Sequence, residues 1–455
     1  MVRAMKDYRT RYVLGMLTLL FFLWGLLTSL NDILVPHLKS AFSLQHWQAQ
    51  LVQFFFFAAY FVMSFPAGWV IRQWGYRKGI VTGLAGMGLG CLLFLPATYV
   101  QWYGLFLLGL FVLASGITLL QVAANPYVAI TGSEENAASR LNLAQGFNSL
   151  GHTIAPIVGA MLILQNTDIV ELESVRMPYV GLGLTLLILA FIFSRLPLPE
   201  IEYEKIERHG FRWKEHPTLI MGAIAIFCYV GAEISVGSHL VAYFTEEPSI
   251  NLTNKTAGSY VAFYWGGAMI GRFLGAIFLD SSTDKRPLSW WVRTMAIPVA
   301  AWAIVAAVWM LQELPSDALP GIAAVLLLNY IMFIVGKHTP SSMLARFALA
   351  NVILLLITMM SGGAWAMWSV LAIGLFNSVM WSNIFTGSIR GLGRFTPYGS
   401  SLLVMMIVGG AIIPVIQGIA ADNLGVKISF IVPLLAYIYL IGFAMFNKSV
   451  KKVNA

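Results

Sequence analysis

Long apolar segments recur along the whole chain, and two of them, between Gly116 and Gly159, carry more amide side chains than a lipid-facing helix tolerates. The stretch reads GITLLQVAANPYVAITG, then a short polar break, then RLNLAQGFNSLGHTIAPIVG. At ~100° per residue, with Gln145 as origin, Asn142, Asn148, Ser149, His152 and Pro156 fall within about 60° of it. Leu143, Phe147, Leu150 and Ile154 occupy the opposite side. A helix patterned this way turns its apolar face to lipid and its amide face to a protein interior or a water-filled cavity.

Windows of about 20 apolar residues predict further helices at 12–36, 47–71, 79–98, 102–131, 139–164 and 178–196. The charged segment RLPLPEIEYEKIERHGFRWKEHP then interrupts the pattern, and its prolines and mixed charge mark a linker. Helices resume at 217–245, 256–281, 289–312, 319–337, 341–361, 363–389, 397–421 and 424–447, about fourteen in all. The expected organisation is an all-α polytopic membrane protein with a six-helix bundle over 1–197 and a cytoplasmic linker over 198–216. A second bundle follows over 217–447, then a cytoplasmic tail over 448–455.

Charge tests that count. Arg72, Arg77, Lys78, Arg140, the linker, Lys285, Arg286, Arg293, Lys337, Arg346, Arg390, Arg394 and Lys448 fall on one side of the alternation. The intervening loops carry Asp168, Glu171, Glu173, Glu246, Glu247, Glu313 and Asp317, which places both termini in the cytoplasm by the positive-inside pattern. The halves also resemble each other weakly. Gly116 to Asn125 and Gly374 to Asn383 share one spacing, as do Gly151 to Pro156 and Gly409 to Pro414, the mark of a repeat-built transporter. In this register the second half has a surplus helix pair at about 283–338.

Composition agrees with the pattern: 58% hydrophobic, 11% charged and a mean hydropathy of +0.77. The net charge of +8 reflects topology and not a nucleic-acid surface, because the basic residues sit in short loops on alternate sides of the spans. The first apolar run is too long for a signal peptide and is expected to be retained. Cys91 and Cys228 lie in apolar spans, so neither a disulfide framework nor a metal site is expected. GxxxxGKS/T, HExxH and GxSxG are absent, and no paired acid and base marks an enzyme.

The candidate chemistry is therefore that of residues inside the spans. Asp32, in LNDILVP, shares a helical face with Trp24, Thr28 and Asn31. A carboxylate there can carry a proton or, beside Asn31 and Thr28 oxygens, hold sodium; it can equally cap a helix break near Pro36. Glu233, in CYVGAEISVGSH, is the most membrane-central acid, and either couples an ion or pairs with Arg272. Gln121, Asn125, Gln145, Asn148, Asn377, Asn383 and Gln417 form an amide set able to donate and accept in pairs, as vicinal hydroxyls demand. Any one of them alone reads as an interhelical hydrogen bond; together they read as a shared polar substrate site. Trp381 and Trp265, with Tyr264, are candidates to stack on the C–H face of a sugar ring.

The motifs LNDILVP, FPAGW, QVAANPYVA, RLNLAQGFNSLG, YVGAEISVGS, YGSSLLVMMIVGG and IIPVIQGIAAD resemble those of the major facilitator superfamily, and within it the fucose-galactose-glucose symporter family. The resemblance implies two six-helix bundles rocking about a central site, and import of an extracellular hexose with a cation. Asp32 lies where the fucose branch has its first-helix aspartate, whereas Gln121 stands where that branch has a coupling glutamate. QVAANPY and YVGAEISVGS are more similar to the glucose/galactose branch, which includes N-acetylglucosamine carriers and sodium-linked members. The implied protein is a glucose- or galactose-type symporter of a bacterial inner membrane, with sodium or proton as coupling cation and no cofactor. Its partners are a small sugar and membrane lipids; the sequence carries no signal for an oligomeric state. A drug exporter and a non-transporting sugar sensor are the rival readings.

Overall fold

The structure is a computed structural model and describes residues 2–163, 172–196, 212–281, 286–311, 318–335 and 338–453. Its helices in the first half of the chain are α1 (Val2–Ala41), α2 (His46–Leu92), α3 (Phe94–Val100), α4 (Tyr103–Ile130), α5 (Ala137–Ile163) and α6 (Arg176–Arg195). Then come α7 (Pro217–Glu246), α8 (Asn254–Phe278), α9 (Leu288–Leu311), α10 (Ala318–Ile334), α11 (Pro340–Met360) and α12 (Gly363–Asn377). The last are α13 (Met380–Ile389), α14 (Thr396–Met405), α15 (Gly409–Leu424), α16 (Val426–Ser429) and α17 (Ile431–Val453). Among the described residues, eleven helical stretches are long and apolar enough to cross a membrane by length and composition. Helices dominate for a physical reason. Hydrocarbon offers no hydrogen-bond partner, so each span must satisfy its own backbone. The chain is an integral membrane protein.

Two expected boundaries take a different form. The loop foreseen between the second and third spans shrinks to a break inside α2 at Gly75, with φ 81° and ψ 167°, a conformation essentially reserved for glycine. A Cβ there would meet nothing within 4 Å, so the demand is conformational and not one of space. The span expected as one helix over 363–389 is interrupted at Ser378 and Val379, between α12 and α13.

The chain forms two compact units that do not follow chain order. The first contains Met1–Thr131, Leu150–Ala223 and Ile389–Ala411. Its core is α4, buried without interruption from Gly116 to Ala129. Helix α2 packs along α4 and α6, while α14 packs on α2 and α4, where Ser400 Oγ donates to the Val122 carbonyl at 2.9 Å. Gly116 is required by this packing, because a Cβ there would run into the Met87 backbone nitrogen and lie 2.7 Å from the Gly83 carbonyl.

The second unit contains Gly132–Ser149, Ile224–Ser388 and Ile412–Ala455. Here α11 packs on α12 and α17, and α12 packs on α8. Gly374 plays the part Gly116 plays in the first unit, since a Cβ on it would collide with the Tyr264 carbonyl. The shared glycine-to-asparagine spacing thus marks two spans that each admit a neighbouring backbone before presenting an amide, on one helix in the first case and across the α12–α13 break in the second. The start of α5 is stitched to α8: Ser139 Oγ donates to the Ala276 carbonyl at 2.5 Å, and Asn136 Nδ2 to Asp280 Oδ1 at 3.0 Å. Helices α9 and α10 pack on each other and on α8 and α12, and α9 leaves Val299, Ile304 and Met310 exposed.

Forcing a side chain into the Gly75 conformation costs on the order of 1–3 kcal/mol. Gly75→Ala is accordingly expected to lower the thermal unfolding midpoint of the detergent-purified protein, whereas Gly15→Ala, with a helical φ and open space, leaves it unchanged.

Candidate substrate site

Polar side chains inside the spans form a separate cluster in each unit. In the first unit, Gln121 and Asn125 project from one face of α4 at helical spacing, and both are buried. Gln121 Nε2 donates to the Tyr60 hydroxyl at 2.9 Å. The side chains of Trp24 and Thr28, on the α1 face that carries Asn31 and Asp32 in the sequence, lie beside that hydroxyl. Gln121 Oε1 is buried without a hydrogen-bond partner. Asn31 and Asp32 lie on α1, and their side chains fall outside the described residues. Tyr60 was not foreseen: within FFFFAAYFV no period singles it out.

In the second unit, the opening turns of α5 bring Asn142, Gln145, Asn148 and Ser149 into the interior, all buried. Asn142 Nδ2 folds back on the Ala138 carbonyl at 2.9 Å. Arg272 of α8 reaches α5, where Nη1 donates to Ser149 Oγ and, at 3.4 Å, to the Gln145 carbonyl. The same guanidinium donates from Nε to the Ser378 carbonyl at 3.4 Å and stands 3.7 Å from Glu233 Oε1. Tyr229 donates to that carboxylate oxygen at 2.8 Å, one turn away on α7.

A hydrogen-bond relay continues from Glu233 into the bundle. The Tyr264 hydroxyl donates to the Glu233 backbone carbonyl at 2.9 Å and accepts from Asn377 Nδ2 at 3.1 Å. Asn377 Oδ1 in turn accepts from Tyr437 at 2.7 Å and from Asn351 Nδ2 at 2.9 Å. Both ends of the Asn377 amide are therefore engaged. Gln417 is similarly occupied, accepting from Ser235 Oγ and donating to Ser429 Oγ at 3.2 Å. Trp265 is 41% exposed and meets Tyr264 edge-on at 5.2 Å between ring centroids.

Just past the helix break the situation reverses. Trp381, Ser382 and Asn383 are consecutive and buried, yet Trp381 Nε1, Ser382 Oγ and both amide atoms of Asn383 make no hydrogen bond. A buried polar group left unmet costs about 1–3 kcal/mol, so four in one row call for a ligand or water. At ~100° per residue the three side chains fan around α13 and do not share one face, so it is the Asn383 amide, a donor and an acceptor with neither met, that suits adjacent hydroxyl groups. Trp381 and Asn377 do not share a continuous helix, because the break at Ser378 and Val379 separates them. Ser382 escaped the sequence reading because a single serine in an apolar helix usually bonds its own backbone.

The spans and these polar interiors define a polytopic carrier of helical bundle type, and comparison with known proteins identifies its kind. A sequence profile of the Major Facilitator Superfamily matches residues 17–337. The chain is 42% identical to the glucose/galactose transporter of Brucella abortus over 96% of its own length and 94% of the relative's. It is 30% identical to the L-fucose-proton symporter of Escherichia coli, over 95% of this chain and 92% of that one. The crystal structure of the transporter FucP in the outward conformation matches with a TM-score of 0.77 at 29% identity, covering 96% of this chain and 99% of that one. The chain belongs to the Major Facilitator Superfamily, in the branch of sugar permeases that the sequence motifs indicated. Family and relatives alike are transporters and not enzymes. Among the described residues, no three His, Cys, Asp or Glu side chains are grouped as a metal site requires.

Asn377 and Asn383 are expected to separate scaffold from site. Asn377→Ala strands Tyr437, Asn351 and one bond of Tyr264, and should destabilise the protein by about 2 kcal/mol or more. Asn383→Ala removes two unmet groups and should leave unfolding within about 1 kcal/mol of the parent, as measured by chemical denaturation in mild detergent.

Proposed function

We propose that the chain is a secondary active transporter that imports a hexose of the glucose/galactose type with a cation by alternating access. The observation that carries this reading is the buried Asn383 amide with neither its donor nor its acceptor met, in a chain 42% identical to a glucose/galactose transporter. The side chains assigned to the sugar are Trp381, Ser382 and Asn383 of α13, Gln145 and Asn148 of α5, and Gln121 and Asn125 of α4. Asn377, Gln417 and Trp265 are assigned to the same site, the first two as amides already engaged with neighbours and Trp265 beside Tyr264. Asp32 and Asn31 couple the cation on α1, and Glu233 does so on α7. The coupling ion is a proton or sodium; the L-fucose-proton symporter supports the proton, and glutamine at position 121 in place of a coupling acid supports sodium.

The same reading divides the chain into bundles over 1–197 and 217–447 joined by the cytoplasmic linker 198–216. It gives about fourteen membrane crossings, including an added pair at about 283–338, with both termini in the cytoplasm of a bacterial inner-membrane protein. Packing within the units supports the added pair. The second arm of α2 meets α4 at Gly83 and Gly116 and α6 at Gly88 and Gly183, much as α11 packs on α12 and α17, and α9 and α10 are the pair this correspondence leaves over among the described residues. In the repeat register α9 and α10 are the extra helices.

Competition for binding to purified protein tests the substrate class. Glucose and galactose should displace a bound labelled hexose, N-acetylglucosamine should rank next, and amphipathic dyes should have no effect; displacement by dyes and not by sugars would make the protein a drug carrier. Asp32→Asn should abolish gradient-driven accumulation while sugar exchange across the membrane continues, because exchange needs no net ion turnover. Unchanged accumulation in Asp32→Asn liposomes would assign Asp32 to structure.

A further inference from the structure

The ion pair of Glu233 and Arg272 is built asymmetrically. Glu233 Oε1 is held by the Tyr229 hydroxyl at 2.8 Å, and Arg272 Nη2 stands off at 3.7 Å, beyond hydrogen-bond length. The hydrogen bonds of Arg272 run elsewhere: to Ser149 Oγ and the Gln145 carbonyl on α5, and to the Ser378 carbonyl at the break between α12 and α13. Two neighbouring elements fix where the guanidinium lies, and Glu233 compensates its charge without gripping it. The arginine is 8% exposed, so in this low-dielectric interior the charge has a strong claim on the one carboxylate beside it.

Among the described residues, the surroundings add no competing charge. The ionisable groups facing Glu233 are Tyr229 on α7, Arg272 and Tyr264 on α8, and Tyr437 on α17. Among the described residues, the charge that a cation reaching Glu233 competes with is that of Arg272, while the Tyr229 hydroxyl keeps its own hold on the carboxylate. When the cation wins, the guanidinium keeps only its neutral acceptors, and its pull on them changes. Those acceptors belong to the helix that carries Gln145 and Asn148 and to the turn three residues before Trp381.

Resting on the transport reading above, we propose that Arg272 is the positioning residue that passes occupation of Glu233 by the coupling cation to α5 and to the α12–α13 break. Arg272 touches neither sugar nor ion. It ties the charge on one to the placement of groups that hold the other, which is a coupling free energy in the strict sense: cation binding alters sugar affinity, and sugar binding alters cation affinity by the same factor.

The test is the sugar dissociation constant of the full-length protein, measured by tryptophan fluorescence with glucose in the presence and absence of sodium, and again across a proton titration. The wild type should show a shift of about tenfold with one of the two cations. Arg272→Gln should still bind glucose, with the cation shift reduced to less than about twofold, and should exchange sugar but not accumulate it. Arg272→Lys keeps a positive charge beside Glu233 but lacks the fork that reaches three acceptors, so its shift should collapse as well. A full shift in either variant, or a folded Arg272→Gln that has lost glucose binding altogether, would overturn the role; should Arg272→Gln not fold, the lysine variant decides. Absence of glucose, galactose and N-acetylglucosamine binding by the wild type would overturn the transport reading and this role with it, whereas a shift that survives substitution overturns the role alone.

Discussion

Everything in this protein is shaped by one constraint: a polar group inside the membrane has no water to fall back on, so it must find a partner in the chain or be kept for a ligand. The two outcomes stand a few residues apart. Asn377 has both ends of its amide bound by Tyr264, Tyr437 and Asn351, and Asn383, six positions on, has neither. A break in the helix separates them, so the arm that serves the scaffold and the arm with the unmet amide are distinct. The same economy governs charge. Arg272 is tolerated in a buried position because Glu233 balances it and because Ser149, Gln145 and Ser378 take its hydrogen bonds.

Much of the architecture was legible in the sequence because lipid imposes a coarse rule on composition. Apolar runs mark helices, and this signal survives without knowledge of neighbours. The Gly116 and Gly374 spacing was legible too, and its physical content is close helix approach: each glycine leaves room for a backbone that any Cβ would strike. What could not be read is how a helix departs from regularity. The break at Ser378 and Val379 lies in FNSVMW, which contains neither proline nor glycine, so packing and not local preference sets it. Gly75 was seen as part of a loop, although it needs only one residue in a glycine conformation to turn the chain between two arms of α2.

The polar interior was legible as a list and not as a map. Sequence periodicity puts Gln121 and Asn125 on one face, but it cannot reveal that Tyr60, hidden in a phenylalanine run, supplies the hydroxyl that receives Gln121. Nor can it distinguish amides that hold helices together from amides that wait for substrate, because the two are chemically identical. That distinction emerges only from which hydrogen bonds are made: Asn377 and Gln417 are engaged, and Asn383 is not. Where fucose-type relatives are implied to carry an acid, this chain has Gln121, and its deepest described carboxylate stands instead on α7, paired with Arg272.

The central claim is that this interior moves a hexose against its gradient at the expense of an ion gradient. It is tested most directly by uptake of labelled glucose into proteoliposomes of the purified protein, with an inward proton gradient and an inward sodium gradient imposed separately. The account predicts accumulation above the equilibrium level under one of the two and its loss when that gradient is collapsed by an ionophore. Failure of glucose, galactose and N-acetylglucosamine alike to accumulate under either gradient would contradict it.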